Sequence, residues 1–84
     1  MRDEIRRKVL ELAGRRGLKP RSLADDEVIP ETGLLDSAGI MELIVWLETR
    51  FGLEIDQDDV TVDNLGSVNA IAEYLARAHA GPVA

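Results

Sequence analysis

The segment 36–52, DSAGIMELIVWLETRFG, restricts the fold of this 84-residue chain more than any other. Its apolar side chains recur at the spacing of one helical face: Ile40, Leu43, Ile44, Leu47 and Phe51. Such a stripe predicts an amphipathic helix that must be buried against other helices. Asp36 is a suitable N-cap and Gly52 a suitable C-terminal stop. We therefore predict a helix over residues 37–51.

Two more segments have helical periodicity, and a third begins with a capping residue. Residues 2–14 repeat apolar side chains at i, i+4 and i+7, and residues 68–79 repeat them at i, i+3, i+4 and i+7. Thr61 caps a short helical turn over residues 61–65. The sequence predicts one all-α domain over residues 1–84, a small four-helix bundle of three main helices and a short third helix.

Residues 15–35 show no sustained period and contain two prolines, so we expect a long loop between the first and second helices. A short turn near Ser22–Ala24 is possible within it. A loop of this length needs anchors, for which the candidates are Leu18, Leu23, Val28, Ile29, Leu34 and Leu35. In residues 53–60, Leu53 and Ile55 alternate with charged residues, but no partner strand is visible, so we expect an extended linker.

Several function classes find little support in the composition. The chain has no cysteine, so any thiol chemistry must come from a cofactor. The single histidine, His79, lies in the final helical turn and no catalytic set can be assembled around it, so we predict no enzyme. The acidic run 56–59 lacks the glycine and distal glutamate of a calcium loop, so we predict no metal site. Without a signal peptide or a membrane-spanning run, we expect a soluble cytoplasmic protein.

The charge is divided unevenly along the chain. Residues 1–24 carry eight Lys/Arg and three Asp/Glu, a net of +5, whereas residues 25–84 carry two Arg and thirteen Asp/Glu, a net of −11. The larger acidic part should repel nucleic acid and attract basic protein surfaces, so we predict no nucleic-acid partner. The basic first helix is either a solvated face or a contact for an acidic partner.

The pair Asp36-Ser37 has two interpretations. Asp or Ser before a helix is usually an N-cap and nothing more. One residue is enough for a cap, however, and Ser37 would then occupy the first helical position with its hydroxyl near solvent. A phosphate ester there would lie at the positive end of the helix dipole, so an attachment site is also physically possible.

Two stretches, TGLLDSAGIMELIVWLETRFGLEI and VTVDNLGSVNAIAEYL, resemble the acyl carrier protein family, and the resemblance covers nearly the whole chain. It is most similar to stand-alone carriers loaded by an adenylating ligase, such as D-alanyl and related aminoacyl carriers. The resemblance implies that a phosphopantetheinyl transferase attaches 4′-phosphopantetheine from coenzyme A to Ser37, and that Asp36 is recognised by that transferase. The cofactor's thiol would hold the acyl group as a thioester. Further implied partners are the ligase and a downstream acyltransferase or synthase, with the carrier itself a monomer.

The resemblance also implies a partner-binding surface of apolar and acidic residues: Met41, Glu42, Val45, Glu48, Glu54, Asp56, Asp58 and Asp59. Ala38 and Gly39 depart from the Asp-Ser-Leu pattern of fatty-acid carriers, which favours a specialised pathway with a small acyl or amino acid cargo. Trp46 is bulky for its position, so we expect no roomy pocket for a long chain. The alternative is an unmodified helical interaction module, in which the face around Met41, Val45 and Trp46 docks a partner helix.

Overall fold

The computed structural model describes residues 1–17 and 22–79, except for the side chain of His79. Its helices are α1 (Arg2–Arg15), α2 (Ile29–Thr32), α3 (Ser37–Phe51), α4 (Val62–Leu65) and α5 (Val68–His79), with a 3₁₀ turn at Gln57–Asp59. The described residues contain no strand, which confirms the all-α class. The sequence predicted α1 over 2–14, α3 over 37–51, α4 over 61–65 and α5 over 68–79.

The three long helices share one apolar core, in which α1 packs against both α3 and α5. The most deeply buried side chains are Ile5, Val9, Ile29, Leu47, Val68, Ile71 and Leu75. Burying an aliphatic side chain of this size stabilises a fold by about 1.5–3 kcal/mol. The stripes that predicted the helices are therefore the surfaces that hold them together.

The connection between α1 and α3 is more ordered than the sequence predicted. It contains α2, and its turn lies at residues 25–26 rather than at Ser22–Ala24. Pro30 occupies the first turn of α2, where its missing N–H has no intrahelical partner to lose. Gly33 ends the helix with a φ of 75°, in the left-handed region that glycine adopts most easily. Four residues are too few to show a helical period, which is why the sequence did not reveal α2.

The predicted apolar anchors of this connection are buried where they are described. Leu23, Ile29, Leu34 and Leu35 all lie in the core, and Val28 is half-buried. Leu18 lies outside the described residues. The backbone N–H of Ile29 also donates a hydrogen bond of 2.7 Å to the carbonyl of Gly66, the residue after α4. The connection is thus held both by side-chain burial and by a backbone hydrogen bond to the residue that follows α4.

The segment after α3 is extended only in its first part. Ile55 is buried, and its N–H donates to the Glu48 carboxylate at 2.9 Å. The 3₁₀ turn follows, so the expectation of an extended linker through residue 60 was wrong. The Tyr74 hydroxyl donates to Asp59 at 2.9 Å, and burial together with this bond raises the pKa of Tyr74. These contacts from α3 and α5 hold the turn in place.

The basic side chains of α1 have partners both within the helix, such as Glu11 for Lys8, and in other segments of the chain. Arg6 bridges Asp3 and Asp25, and hydrogen bonding from Arg6 lowers the pKa of Asp3. Arg2 donates to the Asn69 side chain at 2.9 Å. Isolated surface ion pairs contribute only about 0–1 kcal/mol each, so these contacts orient α1 more than they stabilise it. Arg2 and Arg6 therefore connect α1 to other segments of the chain, and a contact of the basic helix with an acidic partner stays a prediction.

Within the described residues, no helix is both long enough and apolar enough to cross a membrane.

Shortening Leu47, which is fully buried on α3, should strongly destabilise the fold. We expect Leu47→Ala to lower the free energy of unfolding by about 2–5 kcal/mol, because it removes apolar contacts and leaves a cavity. Urea denaturation followed by circular dichroism measures this change. Val45→Ala is the matched control on the exposed face of the same helix and should change stability by less than about 0.5 kcal/mol. Equal effects of the two substitutions would contradict the described core.

Candidate functional site

The N-terminus of α3 is capped by Asp36. The backbone of Asp36 is extended, with φ −92° and ψ −173°, and its Oδ1 accepts a hydrogen bond of 2.8 Å from the N–H of Gly39. Its carbonyl accepts the first helical bond, from Ile40 at 2.9 Å. These are the two contacts expected of an N-cap residue. The predicted N-cap at Asp36 is therefore confirmed.

Ser37 is exposed and is the first residue of α3, one position after the cap. Ser67 provides a useful contrast, because it precedes α5 and its Oγ accepts a hydrogen bond of 3.0 Å from the N–H of Ala70. The hydroxyl of Ser67 therefore acts as a cap. At Ser37 the cap is supplied by the neighbouring aspartate, which leaves an exposed hydroxyl at the positive end of a 15-residue helix. This setting suits a covalently attached phosphate ester.

Gly39 allows the chain before α3 to pack closely against its first turn. Gly39 is buried, and a Cβ atom added there would lie 3.2 Å from Cδ2 of Leu35, closer than an ordinary van der Waals contact. Leu35 is itself 4% exposed. The glycine therefore lets the buried Leu35 lie beneath the start of α3, and the three residues between them, Asp36, Ser37 and Ala38, are exposed.

Arg16, the residue after α1, reaches the same segment from the other end of the connection. Its Nη1 donates to the carbonyl of Gly33 at 3.1 Å and to that of Leu34 at 2.9 Å. Its Nε lies 3.8 Å from Oδ2 of Asp36. Sequence reasoning missed this contact, because Arg16 is separated from its partners by 17 to 20 positions and no local pattern connects them.

The predicted partner residues fall into two groups in the structure. Six are exposed: Met41, Glu42, Val45, Glu54, Asp56 and Asp58. Glu48 and Asp59 are half-buried, and their carboxylates accept hydrogen bonds from Ile55 and Tyr74. A role of any of these residues in binding partners stays a prediction.

An apolar cavity of about 160 Å³ lies between α2, α3 and α4. Its lining includes Ile29, Pro30, Ile40, Leu43, Val62 and Leu65. Trp46 is absent from this lining, so the bulk of Trp46 does not account for the small volume of the cavity. Its ring faces α1, with the Lys8 ammonium 5.8 Å from the ring centroid, and packs edge-on against Phe51. The modest volume of the cavity therefore follows from the packing of the aliphatic side chains around it.

Across the described part of the chain, no cluster of three or more His, Cys, Asp or Glu side chains is placed to hold a metal ion.

The chain is similar in sequence to a known protein family and to several of its members. The family model described as the phosphopantetheine attachment site matches residues 3–75. The D-alanyl carrier proteins of Streptococcus thermophilus and Streptococcus gordonii are each 31% identical to this chain over 70 residues. That of Streptococcus sanguinis is 33% identical over the same length. Each of these alignments covers 83% of this chain and 89% of the relative.

The capping role of Asp36 can be separated from its charge. We expect Asp36→Ala to lower the free energy of unfolding by about 0.5–2 kcal/mol, because the N–H of Gly39 loses its acceptor. Asp36→Asn should stay within about 0.5 kcal/mol of the wild type, because asparagine caps a helix about as well as aspartate. Urea denaturation of the two variants tests the assignment. An asparagine variant as unstable as the alanine variant would show that the charge, and not the cap, is what matters.

Proposed function

The chain belongs to the family of phosphopantetheine-binding carrier proteins, and from this premise we propose that Ser37 is the residue to which 4′-phosphopantetheine is attached. Members of this family carry the cofactor covalently and act as carriers without catalysing a reaction. The observation that supports Ser37 most directly is its exposed position at the start of α3, beside an aspartate that already supplies the helix cap.

The residues at the start of α3 fit the group that the family carries. The Ser37 hydroxyl would form the phosphodiester, and the positive end of α3 would stabilise its negative charge. When attached, the cofactor supplies a terminal thiol, which this cysteine-free chain lacks and which can hold cargo as a thioester. The protein itself exposes the Ser37 hydroxyl to solvent and keeps the adjoining backbone ordered.

Loading of Ser37 requires a separate transferase. The serine oxygen forms a new bond to phosphorus, the pyrophosphate bond of coenzyme A breaks, adenosine 3′,5′-bisphosphate leaves, and the proton of the serine hydroxyl is released to solvent. We propose that the transferase recognises the Asp36 carboxylate beside the reacting serine. Once loaded, the carrier works by tethering, because a flexible arm raises the effective concentration of its cargo at each partner's active site.

We propose a small acyl or amino acid cargo, joined to the carrier by an adenylating ligase and removed by a downstream acyltransferase or synthase. The names of the D-alanyl relatives support an amino acid. The cavity supports a small group, because its volume of about 160 Å³ is close to the roughly 150 Å³ of an apolar cavity that holds benzene. A long fatty chain is poorly matched to this volume.

We further propose that the chain is a single, monomeric, cytoplasmic carrier domain whose partners bind along α3. The exposed Met41 and Val45 offer apolar contact area, and Glu42 adds a negative charge on the same helix. The unmodified interaction module, which the sequence left open, would use much of the same face. The two functions differ in whether Ser37 accepts a phosphopantetheinyl group.

The mass of the intact protein after loading tests the attachment residue. Incubated with coenzyme A and a phosphopantetheinyl transferase, the wild-type chain should gain the mass of one phosphopantetheinyl group. Ser37→Ala should gain none, because the only attacking oxygen at the site has been removed. Ser67→Ala is the matched control: it removes the other serine at the start of a long helix and should still load.

A wild-type chain that no transferase modifies would favour the unmodified interaction module. A Ser37→Ala chain that is still modified would place the attachment residue elsewhere. In either case the proposed assignment of Ser37 would be wrong.

Recognition of Asp36 by the transferase is tested by the rate of loading. We expect Asp36→Asn, which keeps the cap, to lower kcat/KM for loading by about tenfold or more, as for the loss of a charged hydrogen-bonding partner. Asp26→Asn makes the same change of charge at an exposed position of the connection and should load like the wild type. Loading of the Asp36→Asn variant at the wild-type rate would exclude recognition of this charge.

A further inference from the structure

Arg16 contacts the backbone on the N-terminal side of the attachment serine at two successive carbonyls. One guanidinium nitrogen, Nη1, donates to Gly33 at 3.1 Å and to Leu34 at 2.9 Å. Hydrogen bonds from a charged donor are stronger than those between neutral groups, and a guanidinium presents its donors in a rigid plane. Arg16 therefore holds the turn that connects α2 to α3 in one conformation.

The same guanidinium also faces the cap. Its Nε lies 3.8 Å from Oδ2 of Asp36, while Oδ1 of Asp36 accepts the hydrogen bond from Gly39. The two carboxylate oxygens thus have separate roles, one facing the helix and the other facing Arg16. Arg16, at the end of α1, thus contacts the carbonyls of Gly33 and Leu34 and faces the carboxylate of Asp36, the residue immediately before Ser37.

We propose that Arg16 is a positioning residue for the loading of Ser37. It holds the backbone turn at Gly33–Leu34 through two hydrogen bonds and faces the Asp36 carboxylate, and so presents the serine hydroxyl to the transferase in a narrow range of orientations. This inference rests on the proposed attachment at Ser37. A misplacement of a reacting group by about 1 Å can lower a reaction rate 10²-fold, so a contact that acts only through position can have a measurable kinetic effect.

A comparison with Arg7 distinguishes this role of Arg16 from a general effect of the positive charge on α1. Arg7 lies on α1 and is exposed, and within residues 1–17 and 22–79 its side chain makes one hydrogen bond, to the carbonyl of Asp3 at 3.4 Å. Arg7→Gln and Arg16→Gln remove the same charge, but only the second substitution removes the contacts to the Ser37 segment. Arg16→Lys is a third variant that keeps the charge and loses the planar guanidinium.

The experiment measures steady-state kinetics of phosphopantetheine transfer to the four full-length chains. Because the docking surface on α3 is untouched, we expect Arg16→Gln to lower kcat by about three- to tenfold while KM stays within about twofold of the wild type. Arg16→Lys should resemble Arg16→Gln, since a compact ammonium does not reproduce the guanidinium's contacts. Arg7→Gln should load like the wild type.

Amide hydrogen exchange by NMR provides a second measurement that does not depend on the transferase. In Arg16→Gln the Gly39 amide, which bonds to the Asp36 side chain, should exchange faster by about fivefold or more, as expected for a local opening. The Ile71 amide in α5 should exchange at the wild-type rate. Arg7→Gln should change neither amide.

Four results would overturn the proposal: wild-type kcat in Arg16→Gln, an equal loss in Arg7→Gln, full recovery in Arg16→Lys, or equally faster exchange at Gly39 and Ile71. The first would remove any kinetic role, and the second and third would indicate an effect of charge alone. The fourth would indicate that Arg16 supports the whole fold instead of the attachment segment. In all four the wild-type chain still loads, so failure of this inference is distinct from failure of the proposed attachment at Ser37.

Discussion

The burial of Leu34 and Leu35 is the constraint on which the proposed attachment segment, residues 33–37, depends. Each side chain is 4% exposed, so the backbone immediately before α3 is fixed against the core. The next residue, Asp36, caps the helix, and the one after it, Ser37, is exposed. The chain therefore changes from buried to exposed within four residues, from Leu34 to Ser37, because α3 begins immediately after the two buried leucines and their neighbour Asp36. An exposed serine on an ordered backbone is what a carrier of a covalent group requires.

The uneven charge of the sequence is partly balanced within the folded chain. Arg6 pairs with Asp25, and Arg50 of α3 pairs with Glu4 at 2.8 Å, so charges of both signs connect α1 to the rest of the fold. Arg16 makes a third connection, to the segment around Asp36. Because such pairs add little stability at a surface, their main effect is to select one arrangement of α1 relative to the connection that follows it. The basic helix therefore contributes to the shape of an otherwise acidic carrier.

The sequence predicted most of the helical framework because each long helix has an apolar stripe that repeats over two or more turns. The apolar stripe of α3, which includes the fully buried Leu47, and the cap at Asp36 are local patterns, and both appear in the structure. The helix at Ile29–Thr32 was not predicted, because one helical turn contains no repeat. The Arg16 contacts were not predicted either, because they join segments that only the tertiary fold brings together. The position of Trp46 against α1 likewise depends on how the helices pack.

The two kinds of contact made by Arg16 differ in a way that bears on the proposed recognition of Asp36 by a transferase. The bonds to the carbonyls, at 2.9 and 3.1 Å, are of normal hydrogen-bond length, whereas the approach to Oδ2 of Asp36 is 3.8 Å. Interactions between charges at this distance are weakened by solvent near a surface, while direct hydrogen bonds depend on geometry. A cationic group of a transferase can therefore compete for Oδ2 while Arg16 keeps its hold on the backbone. The cap is unaffected as well, because it uses the other carboxylate oxygen, so the charge of Asp36 is open to a partner without loss of the structure that positions Ser37.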